Sequence, residues 1–179
     1  MFELKAVYSR SNKSASAFAK DAQEVLKLQS LPDVYHDEDS AVSLDVLFGR
    51  SDVQAVIVVL PITVQPAIIL KALAAGKHVL SEKPVAPDVN KGRALIHEYE
   101  SKYKPKGLVW RVAENFEAEP GFQAAQRIIR EGKLGKLVYF SARAYNWIDE
   151  DSKWYNTPWR TVPDVSKLPL SLCSLDCAC

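Results

Sequence analysis

Apolar positions along the chain repeat in two periods, and the switches between them predict the elements. Phe2 to Tyr8 reads as a strand. Ala15, Phe18, Ala19, Ala22, Val25 and Leu26 follow helical spacing, with Ser11 or Asn12 able to cap the helix through side-chain oxygens, and Pro32 breaks the pattern. Val34-Tyr35 is a short strand, and Ser40 is expected to cap a helix through Phe48 that Gly49 stops. Val53 to Leu60 is almost uninterrupted β-branched and apolar sequence. Such a run predicts a strand buried on both faces, ended by Pro61. Thr63 is expected to cap the next helix, which tolerates Pro66 in its first turn and reaches Ala75. Gly76 ends it, His78 to Leu80 is strand-like, Asp88 caps a helix to about Tyr103, and Gly107 to Ala113 is a further strand. Alternation of this kind predicts an α/β fold with a parallel, doubly wound sheet and right-handed crossovers.

Beyond Ala113 the pattern changes. A helix is expected from Glu119-Pro120-Gly121 through Glu131, ended by Gly132, and Leu134 to Trp147 reads as a long strand with one mixed face, suited to a sheet covered on one side. The predicted organisation is therefore residues 1–118 as one domain, residues 119–164 as the beginning of an α+β domain, and residues 165–179 as an atypical tail. That tail carries all three cysteines, Cys173, Cys177 and Cys179. Their C-x3-C-x-C spacing lacks a fourth ligand nearby, so no metal site is expected, and the rest of the fold cannot rest on disulfides. The tail reads as sequence foreign to the fold, such as an unspliced intron or another reading frame.

Charge narrows the function classes. The formal net charge is +1, which gives no electrostatic reason to expect nucleic acid or an anionic membrane surface as partner. No apolar run approaches the ~20 residues that span a bilayer, and Met1-Phe2-Glu3-Leu4-Lys5 has no signal-peptide layout; the expectation is a cytoplasmic protein.

In an open parallel sheet, ligands bind outside the carboxyl ends of the strands. Glu82 and Lys83 follow the His78–Leu80 strand at such an end, and Pro84 fixes the backbone behind them. A dinucleotide fold normally opens on a strand and a G-x-G-x-x-G turn that cradles the pyrophosphate. Here Phe2 to Tyr8 is followed by Ser9-Arg10-Ser11, and the first glycine is Gly49. A hydroxyl and an arginine are what the second strand of such a fold offers, where arginine accommodates the 2′-phosphate of NADP. The chain is thus expected to enter a Rossmann-type sheet at its second strand, lacking the first. His78 reads as a packed strand residue rather than a proton carrier; His36 and His97 have no assignable role; Trp147 and Trp154 read as aromatic packing near the domain junction.

With these residues in view, the chain resembles the glucose–fructose oxidoreductase, inositol dehydrogenase and MocA family, and most resembles fungal members. The resemblance rests on Asp52-Val53-Gln54-Ala55-Val56-Ile57-Val58-Val59-Leu60-Pro61 and on Ala72-Leu73-Ala74-Ala75-Gly76-Lys77-His78-Val79-Leu80-Ser81-Glu82-Lys83-Pro84. Asn115, the stretch Ile128 to Lys136, and Trp159-Arg160 add to it. It implies NAD(P)-dependent hydride transfer with a sugar, polyol or related small carbonyl compound, with NADP preferred and NAD possible. It implies Lys83 as the catalytic residue that polarises or helps protonate the substrate oxygen, since an ammonium stabilises charge growing there. Glu82 would hold the lysine or touch the cofactor; Ser9 and Arg10 would hold the adenosine-side phosphate; Leu60 and Pro61 would flank the dinucleotide. Asn115, Trp159 and Arg160 complete the implied cofactor contacts. The family assembles homo-oligomers through its substrate domain. The chain departs from the family in its glycine-free first turn, in Ile62-Thr63-Val64-Gln65 where many members carry Asn-x-x-His, and in the absence of the Asp/His segment that follows the Trp-Arg pair. An alternative reading is a truncated, non-catalytic isoform.

Overall fold

The computed structural model describes residues 3–143, 145, 147 and 149–152, in two compact units that divide between Glu114 and Asn115. The first unit is a Rossmann-type α/β arrangement. Its strands are β1 (Ala6–Tyr8), β2 (Asp33–Tyr35), β3 (Ala55–Val58), β4 (His78–Ser81) and β5 (Trp110–Val112), and its helices are α1 (Asn12–Leu26), α2 (Leu44–Gly49), α3 (Gln65–Ala74) and α4 (Val89–Glu98). All pairings are parallel, but they form two ladders: β1 with β2, and β3 with β4 with β5. Among the described residues no strand joins β1 to β3.

Local chemistry explains most boundaries. Ser11 caps α1, its hydroxyl accepting the Ser14 N–H at 3.3 Å, and Asp88 caps α4, accepting the Lys91 N–H at 2.8 Å. The expected helix from Ser40 to Phe48 is two pieces. Asp39, not Ser40, caps a 3-10 turn over Ser40–Val42, and α2 begins afresh at Leu44. Thr63 does not cap α3; Val64 is the cap residue, and the Pro61 carbonyl accepts the N–H groups of Val64 and Gln65 at 2.9 and 3.1 Å. Backbone satisfies those orphan donors, so no side-chain cap is required. The helix predicted through Tyr103 changes to a π turn over Tyr99–Tyr103 and a 3-10 turn over Lys104–Lys106 before Gly107 at φ 78°.

The core lies on one face of the β3–β4–β5 sheet: Phe48, Val58, Ile69, Ala72, Leu73, Val79, Leu95, Tyr103 and Trp110. Tyr99 and Trp110 meet edge to face at 5.5 Å between ring centroids, the favoured aromatic arrangement. The expectation that Val53 to Leu60 is buried on both faces is overturned. Val58 is 5% exposed, but Ile57 and Val59, which alternate to the other face, are 73% and 68% exposed. Nothing among the described residues of this unit covers that face.

In the second unit, Asn115–Ala118 forms a 3-10 turn and α5 runs over Pro120–Arg130, with Phe116 packed edge to face on Phe122 at 5.9 Å. The strand expected from Leu134 to Trp147 is not formed among the described residues. Residues 131–134 are turn, Gly132 and Gly135 take φ of 70° and 66°, and Val138 and Tyr139 are 88% and 81% exposed. A strand exists through its hydrogen-bonded neighbour, and none of its described residues joins a ladder. Trp147, expected to pack, is 91% exposed for the same reason.

Candidate functional site

The carboxyl ends of the parallel strands gather the predicted residues of the first unit. Ser9 and Arg10 follow β1, Leu60 and Pro61 follow β3, and Glu82 and Lys83 follow β4. Val58 pairs with Ser81, and the Glu82 N–H donates to the Val58 carbonyl at 2.9 Å, so the Leu60-Pro61 and Glu82-Lys83 corners leave adjacent strands at the same level. Ser9 and Arg10 belong to the other ladder. Asn115 opens the 3-10 turn of the second unit. Trp159, Arg160 and Trp154 lie outside the described residues, as does the cysteine-bearing tail.

Residue by residue, Gly76 to Pro84 is mostly architecture. Gly76, at φ 76°, ends α3 in a double hydrogen-bonded stop: its N–H donates to Leu73 at 3.0 Å, and the Lys77 N–H reaches Ala72 at 3.0 Å. This is the Schellman pattern, which uses a left-handed residue to satisfy two terminal carbonyls. The Lys77 side chain is buried, its ammonium donating to the Arg50 and Val53 carbonyls ahead of β3. His78 Nδ1 accepts the Val109 N–H at 3.0 Å, tying β4 to the approach of β5, which fits its reading as a structural residue. Buried Ser81 accepts the Trp110 indole N–H at 3.0 Å. The Glu82 carboxylate accepts the backbone N–H of Lys83 at 2.9 Å. It therefore braces the turn rather than pairing with the lysine's ammonium. Lys83 is exposed, and among the described residues its ammonium has neither ion-pair nor hydrogen-bond partner. The Lys83–Pro84 peptide bond is cis.

A residue that sequence reading passed over fixes this turn. Gln65, 1% exposed, donates from Nε2 to the Glu82 carbonyl at 2.7 Å and to the Pro84 carbonyl at 2.9 Å. One amide thus clamps both sides of the lysine. Its Oε1 is buried without a partner among the described residues. The signal was available: a glutamine in the first turn of a helix that leaves a strand's carboxyl end, otherwise surrounded by Ile, Val and Pro.

On the β1–β2 side, Arg10 is exposed, and its guanidinium has no ion-pair partner among the described residues. Its carbonyl accepts the Asp37 N–H at 3.3 Å, which joins the two strand ends. The Asp37 carboxylate accepts the Tyr8 hydroxyl at 2.7 Å. Burial, and then this bond to an anion, push the Tyr8 phenol up to about 12, because both disfavour its ionised form.

A cavity of about 530 Å3 lies at the opposite, amino ends of β3 and β4, lined by Asp45, Arg50, Ser51, Lys71 and Lys77 among others. Its cations are spent: Arg50 on Asp33 and Asp52, Lys71 on Asp45, Lys77 on backbone carbonyls. It offers no free charge to a ligand. Among the described residues no cluster of His, Cys, Asp or Glu could hold a metal ion, and no helix is long and apolar enough to cross a membrane.

Comparison with known proteins agrees with the Rossmann-type fold. The chain is 41% identical over 163 residues to the dehydrogenase FPY6 of Fusarium mangiferae, covering 90% of this chain and 44% of that protein. In structure it is similar to an oxidoreductase of Thermotoga maritima, with TM-score 0.70 and 30% identity, covering 91% of this chain and 45% of that one. It is also similar to a 3-ketoreductase of Actinomadura kijaniata solved with TDP-benzene and NADP, with TM-score 0.56 and 27% identity over 73% of this chain and 35% of that one. The chain thus spans under half the length of these proteins. Residues 1–106 match the profile of the oxidoreductase family with an NAD-binding Rossmann fold, and the chain belongs to that family, the Gfo/Idh/MocA oxidoreductases.

Proposed function

We propose that this chain carries the dinucleotide-binding part and the lysine-bearing turn of an enzyme that moves hydride between NADP and a sugar, polyol or related small carbonyl compound in the cytoplasm. The observation that carries the reading is the Lys83 turn: a free ammonium at the carboxyl end of β4, on a backbone clamped from both sides by Gln65. The residues suit a dinucleotide at two places. The Leu60-Pro61 and Glu82-Lys83 corners stand together at the ends of adjacent strands, and Arg10 offers an exposed guanidinium after β1, as a 2′-phosphate requires. The cofactor, when bound, would supply the hydride chemistry.

The chain's own residues do the rest. Ser9 and Arg10 hold the adenosine-side phosphate; Leu60 and Pro61 flank the dinucleotide; Glu82 fixes the Lys83 backbone; Lys83 donates a hydrogen bond from Nζ to the substrate oxygen as charge grows there. Asn115, Trp159 and Arg160 complete the cofactor contacts in this reading, and the whole enzyme forms a homo-oligomer. NADPH fluorescence titration tests the first half, with no change up to millimolar cofactor overturning it. In a chain that turns over, Lys83→Ala should lower kcat at least a hundredfold, about 3 kcal/mol, with little change in cofactor affinity. Equal losses in both would remove Lys83 from its role.

The separation of β1–β2 from β3–β4–β5 favours a second reading, a chain without catalytic activity of its own. It predicts cofactor binding too weak to measure in the titration.

A further inference from the structure

The carboxyl end of the β1–β2 ladder holds two opposite charges that do not pair. The Arg10 carbonyl accepts the Asp37 N–H at 3.3 Å, so the two residues are bonded through their backbones. Both are exposed, yet among the described residues no ion pair joins their side chains. The Asp37 carboxylate is engaged elsewhere: the Tyr8 hydroxyl lies 2.7 Å from each of its oxygens. Tyr8 is half-buried and sits opposite Tyr35 in the parallel ladder, so the strand pairing, not the loop, places that hydroxyl. The hydroxyl stands in the field of both charges. Burial and the Asp37 carboxylate push its pKa up, and the Arg10 guanidinium opposes them, as a cation near a phenolate does. A carboxylate released from Tyr8 can turn to that guanidinium, because the two side chains start from bonded backbones. The fork of an arginine receives a carboxylate and a phosphate in the same bidentate geometry. Asp37 and a phosphate are therefore rivals for Arg10.

We propose that Tyr8 is a positioning residue for the cofactor's 2′-phosphate: its hydroxyl holds the Asp37 carboxylate and so keeps the Arg10 guanidinium for the ligand. The inference rests on the reading that Arg10 takes that phosphate, and it adds why the guanidinium is free beside an acidic loop. Asp39, the next aspartate of that loop, is held by its own bond, accepting the Ala41 N–H at 2.8 Å. Asp37 has no such local donor for its side chain among the described residues and depends on Tyr8. Phenylalanine in place of Tyr8 keeps the ring and loses only the donor. The carboxylate then keeps its charge, and Arg10 is the cation bonded to it through the backbone. A ligand phosphate must displace it, which weakens binding by what an exposed ion pair is worth, up to about fivefold.

The test is calorimetric titration of the full chain with adenosine 2′,5′-bisphosphate, which carries the phosphate without the nicotinamide and so does not depend on Lys83. Low ionic strength is used, where exposed charges are least screened. Tyr8→Phe is expected to weaken binding about two- to fivefold. Asp37→Asn removes the rival charge. It should restore wild-type affinity in the Tyr8→Phe chain and change the affinity of the wild-type chain by less, the non-additivity of residues that act through one another. A packing defect alone would not be restored in this way. Three results overturn the proposal and leave Arg10 in its role: binding by Tyr8→Phe equal to wild type, a loss that Asp37→Asn does not restore, or the same gain from Asp37→Asn in both backgrounds. No binding of the bisphosphate by the wild-type chain at millimolar concentration, or binding unchanged by Arg10→Ala, overturns the reading of Arg10 and this proposal with it.

Discussion

The two halves of the Rossmann unit obey one topological rule with different materials. The β3–β4–β5 half buries Phe48, Ile69, Leu73, Tyr103 and Trp110 against its sheet. The β1–β2 half buries Val7 and three alanines of α1, Ala15, Ala19 and Ala22, while Phe18, Val25 and Leu26 of the same helix are exposed. Large side chains give the first half most of its burial energy, at about 25 cal/mol per Å2. Alanines give the second half close approach of helix to strand and little else. The lysine turn stands on the well-packed half, and the arginine proposed for the phosphate stands on the sparsely packed one. Catalytic geometry demands tight placement; an exposed guanidinium reaching a phosphate tolerates more movement.

The largest effect that would break this contrast is in the core. Ile69→Ala, at a fully buried site, should cost about 2–5 kcal/mol, against about 1–2 kcal/mol for Val7→Ala in the other half. Equal losses in urea unfolding would erase the distinction. Next comes the clamp. Gln65→Leu leaves the Glu82 and Pro84 carbonyls without their donor but also removes the orphan Oε1. The expected cost is the lower part of about 1–3 kcal/mol, with exchange speeding up at Lys83 while the amides of β1 are unmoved.

Arg50 joins the halves, contacting Asp33 of β2 at 2.5 Å and Asp52 at 2.7 Å. Its hydrogen bonds hold Asp52 down at about 2, below the ordinary 3.8. The sign follows from linkage: a depressed carboxylate stabilises the fold above its unfolded pKa, and that contribution is lost as pH falls from 3.8 through about 2. Arg50→Ala should flatten the melting temperature across that window and change stability little at neutral pH, since the carboxylates are mostly exposed. The smallest effect is alkaline. Tyr8, raised from 10.0 to about 12, contributes stability that is complete below pH 10 and declines as pH rises through about 12. Tyr8→Phe should remove that decline, read as melting temperature against pH.

Much of this was legible because local chemistry and tertiary structure agree. Ser11, Asp88 and Gly76 end or begin helices where their side chains or their φ dictate, and the alternation of elements shows in the spacing of Ala15 to Leu26 and in the run at Val53. The misses share a cause. Val53 to Leu60 has the composition of a strand covered twice, and Leu134 to Trp147 the alternation of a paired strand. Composition records the environment a segment is suited to, whereas exposure and pairing depend on neighbours brought by other segments. Gln65 escaped for a different reason. Its partners are backbone carbonyls, which every residue carries, so nothing at positions 82 or 84 advertises the bond. Lys77 hid in the same way, looking like a solvated cation while its ammonium spans two carbonyls.

The clamp also gives the lysine turn a mechanical address. Gln65 is the first residue of α3, so the backbone around Lys83 is fastened to a helix rather than left to hang from its own strand. A slide of α3 along its axis would carry the turn with it and change the height of the ammonium above the sheet. Contacts elsewhere on that helix, such as Lys71 with Asp45, therefore bear on the lysine turn through Gln65 rather than by touching it.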